Sequence, residues 1–308
     1  MEAIKTQVEE DEKNLACTKM KKKRFINVVE PYLYLLPCLL IFIVFTYAPF
    51  IKTIYLSVFN TNAQGEVSHF AGMSNYIELF KSQSFINSIV VTLKFVVITT
   101  IPSIFLGLIT ALLTNNKLKC KGLFNTLYAM PMAVSSASAA IIWMLLFNPS
   151  IGLINYIFKI KIGWFTSSFW GVIAVSVVII WLNVCINYVF ITTGLKNIPK
   201  ELYESAHIDG ANYFQCLKNI TLPCLSPTLF FVTIINIINA FQTFVPINIM
   251  TTGGPGEATN VLVFSIYRDA FFNNRFGMAS AESIILFLIM LIITLVQFRY
   301  EKSKVFYK

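Results

Sequence analysis

Six apolar runs, each about 20 residues or longer, divide this chain, at roughly 33–59, 86–113, 123–147, 171–194, 226–250 and 278–298. A helix of that length matches the roughly 30 Å hydrocarbon layer of a bilayer. A membrane barrel would instead show short alternating segments, and none is present. The composition agrees: 56% of residues are hydrophobic and 13% charged, with a mean hydropathy of +0.69, whereas soluble chains are roughly 25% charged. The chain therefore reads as an all-α integral membrane protein with six transmembrane helices. Pro37 and Pro49 are expected to kink or end the first span, and Pro131 falls in the third. The small-residue run 135–140 in the third span suits either close helix packing or a pathway lining.

Charge placement sets the expected orientation. Of the 24 basic residues, seventeen fall in the N-terminal tail (ending Lys21, Lys22, Lys23, Arg24), the inner loops (Lys117, Lys119, Lys121; Lys196, Lys200, Lys218) and the C-terminal tail. By the positive-inside rule both termini are cytoplasmic. The domain reading is a cytoplasmic tail over 1–30, a six-helix membrane domain over 31–298 and a basic tail over 299–308. The net charge of +9 does not indicate nucleic-acid binding, because it gathers at span ends. A cleaved signal peptide is excluded by the length of the first run and its lack of a small-residue cleavage site. Cys17, Cys38, Cys120, Cys185, Cys216 and Cys224 form no CxxC pair and read as small apolar filler. Leu15-Ala16-Cys17 lacks the preceding apolar run of a lipoprotein signal. Outside, residues 60–85 are rich in turn-formers and hold a short amphipathic helix around Tyr76, Ile77, Leu79 and Phe80. Trp164 and Trp170 read as interfacial anchors. Lys94 either snorkels or faces the interior.

Between the fourth and fifth spans lies a polar hairpin, 199–223. Pro199 suits a first helical turn, Glu201 and Glu204 favour the positive end of the helix dipole, and Gly210 permits a change of direction. The pattern predicts two short helices bent at Gly210, the second over about 211–220, ended by Leu222-Pro223.

The spacing Glu-x-Ala-x3-Gly-x9-Ile-x-Leu-Pro is met by Glu204, Ala206, Gly210, Ile220, Leu222 and Pro223. It resembles the coupling-helix signature of the membrane subunits of bacterial ATP-binding-cassette importers, with Ser205 where that family usually has Ala. Leu202 to Ala211, including Asp209, and the Thr-Gly-Gly-Pro of 252–255 resemble the sugar-uptake permeases related to the maltose, glycerol-3-phosphate and multiple-sugar systems. The likeness covers about 30–308. It implies a type I importer fold and partners: a second homologous permease in a heterodimer, two ATP-binding subunits that use ATP and Mg, and an extracellular substrate-binding protein. This chain itself has no phosphate-cradling loop with Lys and Ser/Thr, so no cofactor and no catalytic residue are expected on it. His69 and His207 fall on opposite sides of the membrane, and no metal is expected.

Polar residues within spans mark the candidate substrate path. Asn183 and Asn187 lie four apart; Asn236, Asn239 and Gln242, with Thr243, form a second stripe. Amides donate and accept, which suits sugar hydroxyls; interhelical hydrogen bonding is the competing use. Only Lys52 and Lys94 put positive charge near the spans, so a neutral sugar is preferred over a glycerol-3-phosphate-like anion. Glu282, in the outer part of the sixth span, is expected to pair with Arg275 or to stay exposed rather than meet substrate. A stand-alone secondary transporter or channel calls for internal repeats or buried ionisable relays; no repeat is visible and Glu282 is the one acidic candidate in a span. A scaffold or sensor leaves the hairpin and the amide stripes without a use.

Overall fold

A computed structural model describes residues 32–115 and 121–304. The tail 1–30, with Cys17, the loop residues Lys117, Lys119 and Cys120, and Lys308 lie outside the described residues. The chain divides into two units, Met1–Tyr55 and Leu56–Lys308. The described part of the first unit belongs to one helix, α1 (Tyr32–Ser57). It runs on through both prolines, and a π-helical turn, Ile43–Tyr47, precedes Pro49. Widening the turn lets Ala48 N–H reach the carbonyl of Ile43, which eases the clash and the missing donor that proline imposes on a regular helix.

The second unit opens with an antiparallel pair, β1 (Phe59–Thr61) and β2 (Val67–Phe70), in the register Phe59↔Phe70 and Asn60↔His69. The chain is mostly helical, but this hairpin departs from a purely α reading. Strands of three and four residues carry too little alternation to be told from turns. The side chain of Asn75 in α2 (Ser74–Lys81) donates to the carbonyls of Ser57 at 2.9 Å and Phe59 at 3.1 Å, fixing this short helix against the strand pair.

Then come α3 (Gln83–Asn115), α4 (Lys121–Ala129), α5 (Ser136–Leu146), α6 (Leu153–Phe158) and α7 (Ser168–Lys196). The expected continuous third span is broken. Gly122–Ala133 and Ser136–Leu146 meet at 104°. The sequence holds the cause: Pro131 removes a donor, a 3-10 turn follows at Met130–Ala133, and Ser135 takes extended geometry and caps α5 by accepting from Ser138 N–H at 3.1 Å. Trp164 is also not an interfacial anchor. It is buried, its indole N–H donates to Asn155 at 2.8 Å, and its ring packs tilted against Phe147 and edge-to-face against Trp170. Satisfying the one polar atom of the indole makes that burial possible. Lys94 faces outward from α3.

After α7 the hairpin comprises α8 (Lys200–Ile208) and α9 (Tyr213–Cys216). A second π turn, Leu217–Thr221, joins α9 to α10 (Leu222–Phe241); α11 (Val245–Met250), α12 (Leu262–Tyr267) and α13 (Phe276–Lys304) complete the chain. Five described helices are long and apolar enough to cross a membrane, and the bent pair brings the number to six.

α7 is the most buried of these spans, and it is approached closely from two sides. A Cβ on Gly107 of α3 would lie 2.5 Å from the Cβ of Asn187, and one on Gly194 would meet Thr228 and Leu225 of α10. Along the buried face of α3, Ser88, Thr92, Thr99 and Ser103 each return their hydroxyl to a carbonyl of their own helix at 2.6–2.7 Å. These four hydroxyls are thus satisfied within their own helix, while that of Thr100 has no partner among the described residues; small, self-bonded side chains suit close packing in lipid. Replacing Gly107 by Val should force α3 away from α7 at a cost of about 1–3 kcal/mol. A lowered melting midpoint of the detergent-solubilised protein is expected; an unshifted midpoint would show that the contact tolerates extra volume.

Candidate functional site

The hairpin is a rigid piece for reasons visible in its backbone. α8 ends with Gly210 at φ +77°. Gly210 N–H bonds the carbonyl of His207 at 3.1 Å, and Ala211 N–H bonds that of Ala206 at 2.8 Å. These are the paired bonds of a Schellman cap, whose left-handed residue is best served by glycine. Two residues on, Asn212 caps α9: it accepts from Gln215 N–H at 2.9 Å, while Gln215 accepts from Asn212 N–H at 2.7 Å. One helix is closed and the next opened with almost no free chain between. This Asn-x-x-Gln box was readable in the sequence, and it moves the start of the second helix to Tyr213.

Leu202 and Tyr203 press the hairpin onto a cluster containing Tyr188, Ile191, Leu195 and Leu225, and Tyr203 shares a 2.9 Å hydroxyl bond with Thr221. On the free side Glu204, Ser205, Asp209 and Gly210 are exposed, with Ala206 half-buried. So are Ile208 at 87%, Phe214 at 75% and Tyr213, an apolar patch on an otherwise polar segment. Leu222-Pro223 does not end the second helix. Leu222 N–H reaches back to Leu217 across the π turn, as Ala48 does before Pro49, and 213–250 forms one candidate span. Ile220, Leu222 and Pro223 are half-buried within it.

The five span amides separate into two groups. Asn187 and Asn236 are buried and bonded to each other: Asn236 Nδ2 donates to Asn187 Oδ1 at 2.6 Å, Asn187 Nδ2 donates to Asn236 Oδ1 at 3.3 Å, and Asn236 also donates to the carbonyl of Val232. The other three, Asn183, Asn239 and Gln242, line a single pocket of about 300 Å³ with Ser136, Thr243 and Phe244. No hydrogen bond engages these three amide groups among the described residues. Ser136 falls in the small-residue run 135–140, read from sequence as packing or pathway lining, whereas Phe244 was not singled out. Both stand at helix breaks, and such breaks give no periodic signal.

Glu282 is neither paired with Arg275 nor exposed. It is 1% exposed and accepts from Ser265 Oγ at 3.2 Å, while Arg275 pairs with Glu78 and Arg268 with Glu257. Seven residues, about 10 Å of helix rise, separate the two, and Arg275 is already held by Glu78. The loop before α12 is folded on itself. Thr251 and Thr259 share a 2.7 Å hydroxyl bond, and Thr259 donates to the carbonyl of Gly254 at 2.8 Å.

Residues 103–305 match the family described as the binding-protein-dependent transport system inner membrane component. The chain belongs to this family. The sn-glycerol-3-phosphate transport system permease protein UgpA of Agrobacterium fabrum is 34% identical over 292 residues, covering 94% of this chain and all of that protein. Its counterpart in Yersinia pestis is 35% identical over 282 residues, covering 90% and 96%. A solved bacterial ABC transporter involved in the import of the acidic polysaccharide alginate has the same fold, with a TM-score of 0.78 at 24% identity over 91% of this chain and 97% of that one. The alginate transporter in complex with its pentasaccharide-bound periplasmic protein superposes with a TM-score of 0.79 at 24% identity, over 90% and 96% of the two chains. The protein is a multi-pass permease subunit of the inner membrane with the type I importer fold, and its family is one of transport subunits rather than enzymes.

Two outcomes test the geometry of this permease. Asn187→Leu or Asn236→Leu alone strands a buried amide and should cost about 1–3 kcal/mol. The double substitution should recover part of that loss, whereas simply additive losses in thermal melts would rule out the mutual bond. A Cβ at Gly210 meets no neighbour within 4 Å, so in Gly210→Ala only the backbone opposes the change, by about 1–2 kcal/mol. Transport should fall while the global melting midpoint stays close to that of the wild type.

Proposed function

We propose that this permease moves a small polyhydroxylated solute, a sugar, through the pocket of Asn183, Asn239 and Gln242, and that the hairpin 199–223 is where an ATPase subunit drives it. The observation carrying this reading is continuity: the helix that begins in the hairpin at Tyr213 passes through α10 to reach Asn236, Asn239 and Gln242. A push on the hairpin is therefore delivered to the pocket along a helical rod rather than lost in a loop. In this reading Glu204, Ser205, Ala206, Asp209 and Gly210 meet the ATPase, with Ile208 and Phe214 as its apolar contacts. Ile220, Leu222 and Pro223 carry the load into the membrane. Asn187 and Asn236 hold α7 to α10 during the motion. The lysine-rich placement supports a cytoplasmic hairpin and cytoplasmic termini. Two ATPases would close on ATP and Mg, a second permease would complete the path, and an extracytoplasmic binding protein would deliver the solute.

The pocket lining offers amides and hydroxyls but neither Lys nor Arg, which favours a neutral sugar. A second reading, sn-glycerol-3-phosphate, is favoured by the relatives that carry that name. The phosphate would then need cationic partners from another subunit.

Glu204→Lys should abolish ATP-driven uptake in proteoliposomes while the protein still inserts; normal uptake would remove the hairpin from the coupling role. Asn239→Leu should lower uptake several-fold with subunit assembly unchanged, and an unaltered rate would exclude that amide. Competition of labelled-sugar uptake by neutral sugars, against competition by sn-glycerol-3-phosphate, separates the two substrates.

A further inference from the structure

The permease has a second polar pocket, of about 370 Å³, lined by Glu78, Ser84, Ser265, Arg268, Asp269 and Glu282 among others. It lies at the opposite end of the protein from the hairpin. Its wall includes Ser84 at the start of α3, whereas Leu112 and Asn115 at the end of α3 line the cavity behind Tyr203 and His207. The 28 intervening residues span about 40 Å of helix, more than the hydrocarbon layer. If the hairpin is cytoplasmic, this pocket opens on the side where solute arrives.

Its charges do not cancel. Arg268 is committed to Glu257 at 3.0 Å and to Ser84 at 2.9 Å, and Arg275 to Glu78. These bonds tie α2, the start of α3, the 251–260 loop and the segment 268–275 that joins α12 to α13 into a rim. Two carboxyl groups, those of Asp269 and Glu282, have no ion-pair partner among the described residues. Asp269 accepts only from Asn273 at 2.7 Å among the described residues. Glu282 is almost fully buried; one of its oxygens accepts from Ser265, and the other, Oε2, has no partner among the described residues. A buried carboxylate oxygen without a donor is costly, so Glu282 gives up its proton only when a donor from outside the chain meets it, and its placement on a pocket wall lets one do so.

We propose that this pocket receives one basic side chain, the ammonium of a lysine or the guanidinium of an arginine, from the extracytoplasmic binding protein that docks on this face. The inference rests on the delivery reading above. A metal ion is the poorer fit: no described cluster offers three ligating side chains, and the volume far exceeds that of a bare ion. An ammonium brings three donors and a guanidinium five. Glu282 Oε2, the Asp269 carboxylate and the serine hydroxyls are acceptors suited to them. The cationic head would be held by charge and the rim would fix its direction, giving register to the docked complex as well as affinity.

The test uses the complete transporter in nanodiscs and its purified binding protein. Asp269→Asn, Glu282→Gln and the double variant remove charge with little change in shape. Binding-protein affinity should fall at least tenfold in the double variant, with a shallower salt dependence, while melting midpoints stay near that of the wild type. Carbodiimide should join Asp269 or Glu282 to a lysine of the binding protein, or their loss should abolish an arginine-dependent contact found by scanning. Equal affinity of wild type and double variant overturns the proposal. A requirement for added sodium, magnesium or ethylammonium chloride also overturns it, because the site would then hold a free cation. The delivery reading fails in a different way: the wild-type complex would not bind the binding protein at all.

Discussion

The close approach of α3 and α10 to α7 is the constraint on which the membrane domain depends. Lipid gives helices no hydrophobic reason to associate, so contact must come from packing and from polar groups with nowhere else to go. Gly107 and Gly194 remove the side chains that would keep the helices apart. The self-bonded hydroxyls of α3 remove polar demands from the same face. The Asn187–Asn236 pair then joins α7 to α10 where the gap is small enough for two amides to meet. Without that separation the pair would not form, and Asn183 and Asn239 would not face a shared pocket.

Use divides the amides more clearly than sequence position does. All five lie on apolar helices or, for Gln242, at the end of one, and they look alike by type and spacing. Asn187 and Asn236 have spent their donors and acceptors on each other. Asn183, Asn239 and Gln242 retain theirs beside open space. A solute that replaces water on the second group loses and regains hydrogen bonds; one that attacked the first group would have to break a helix contact to do so.

Much of this was legible beforehand, and the failures have physical causes. The spans, the polar hairpin and its bend at Gly210 follow from hydropathy and from the conformational freedom of glycine. The amide stripes were visible as polar interruptions at helical spacing, but which amides pair across helices depends on interhelical distance, which one sequence does not carry. The third span was misread because apolarity continues across the break at Val134 and Ser135 even though the helix does not. Trp164 was misread because an indole at a span end is interfacial unless something bonds its N–H, and Asn155 lies nine residues away with no pattern linking the two. Glu282 was misread because the arginine nearest in sequence already has a partner from α2.

A helix is a rotary connector as well as a linear one. Each residue advances it by about 100°, and the wide turn at Leu217–Thr221 takes up one residue more than a regular turn would. The amides beyond it consequently stand about 100° out of the phase that a regular helix from Tyr213 would have given them. The nine-residue spacing between Gly210 and Ile220 therefore encodes an angle as well as a length. It sets the azimuth at which the pocket side of α10 meets α7 when the hairpin side is held from below.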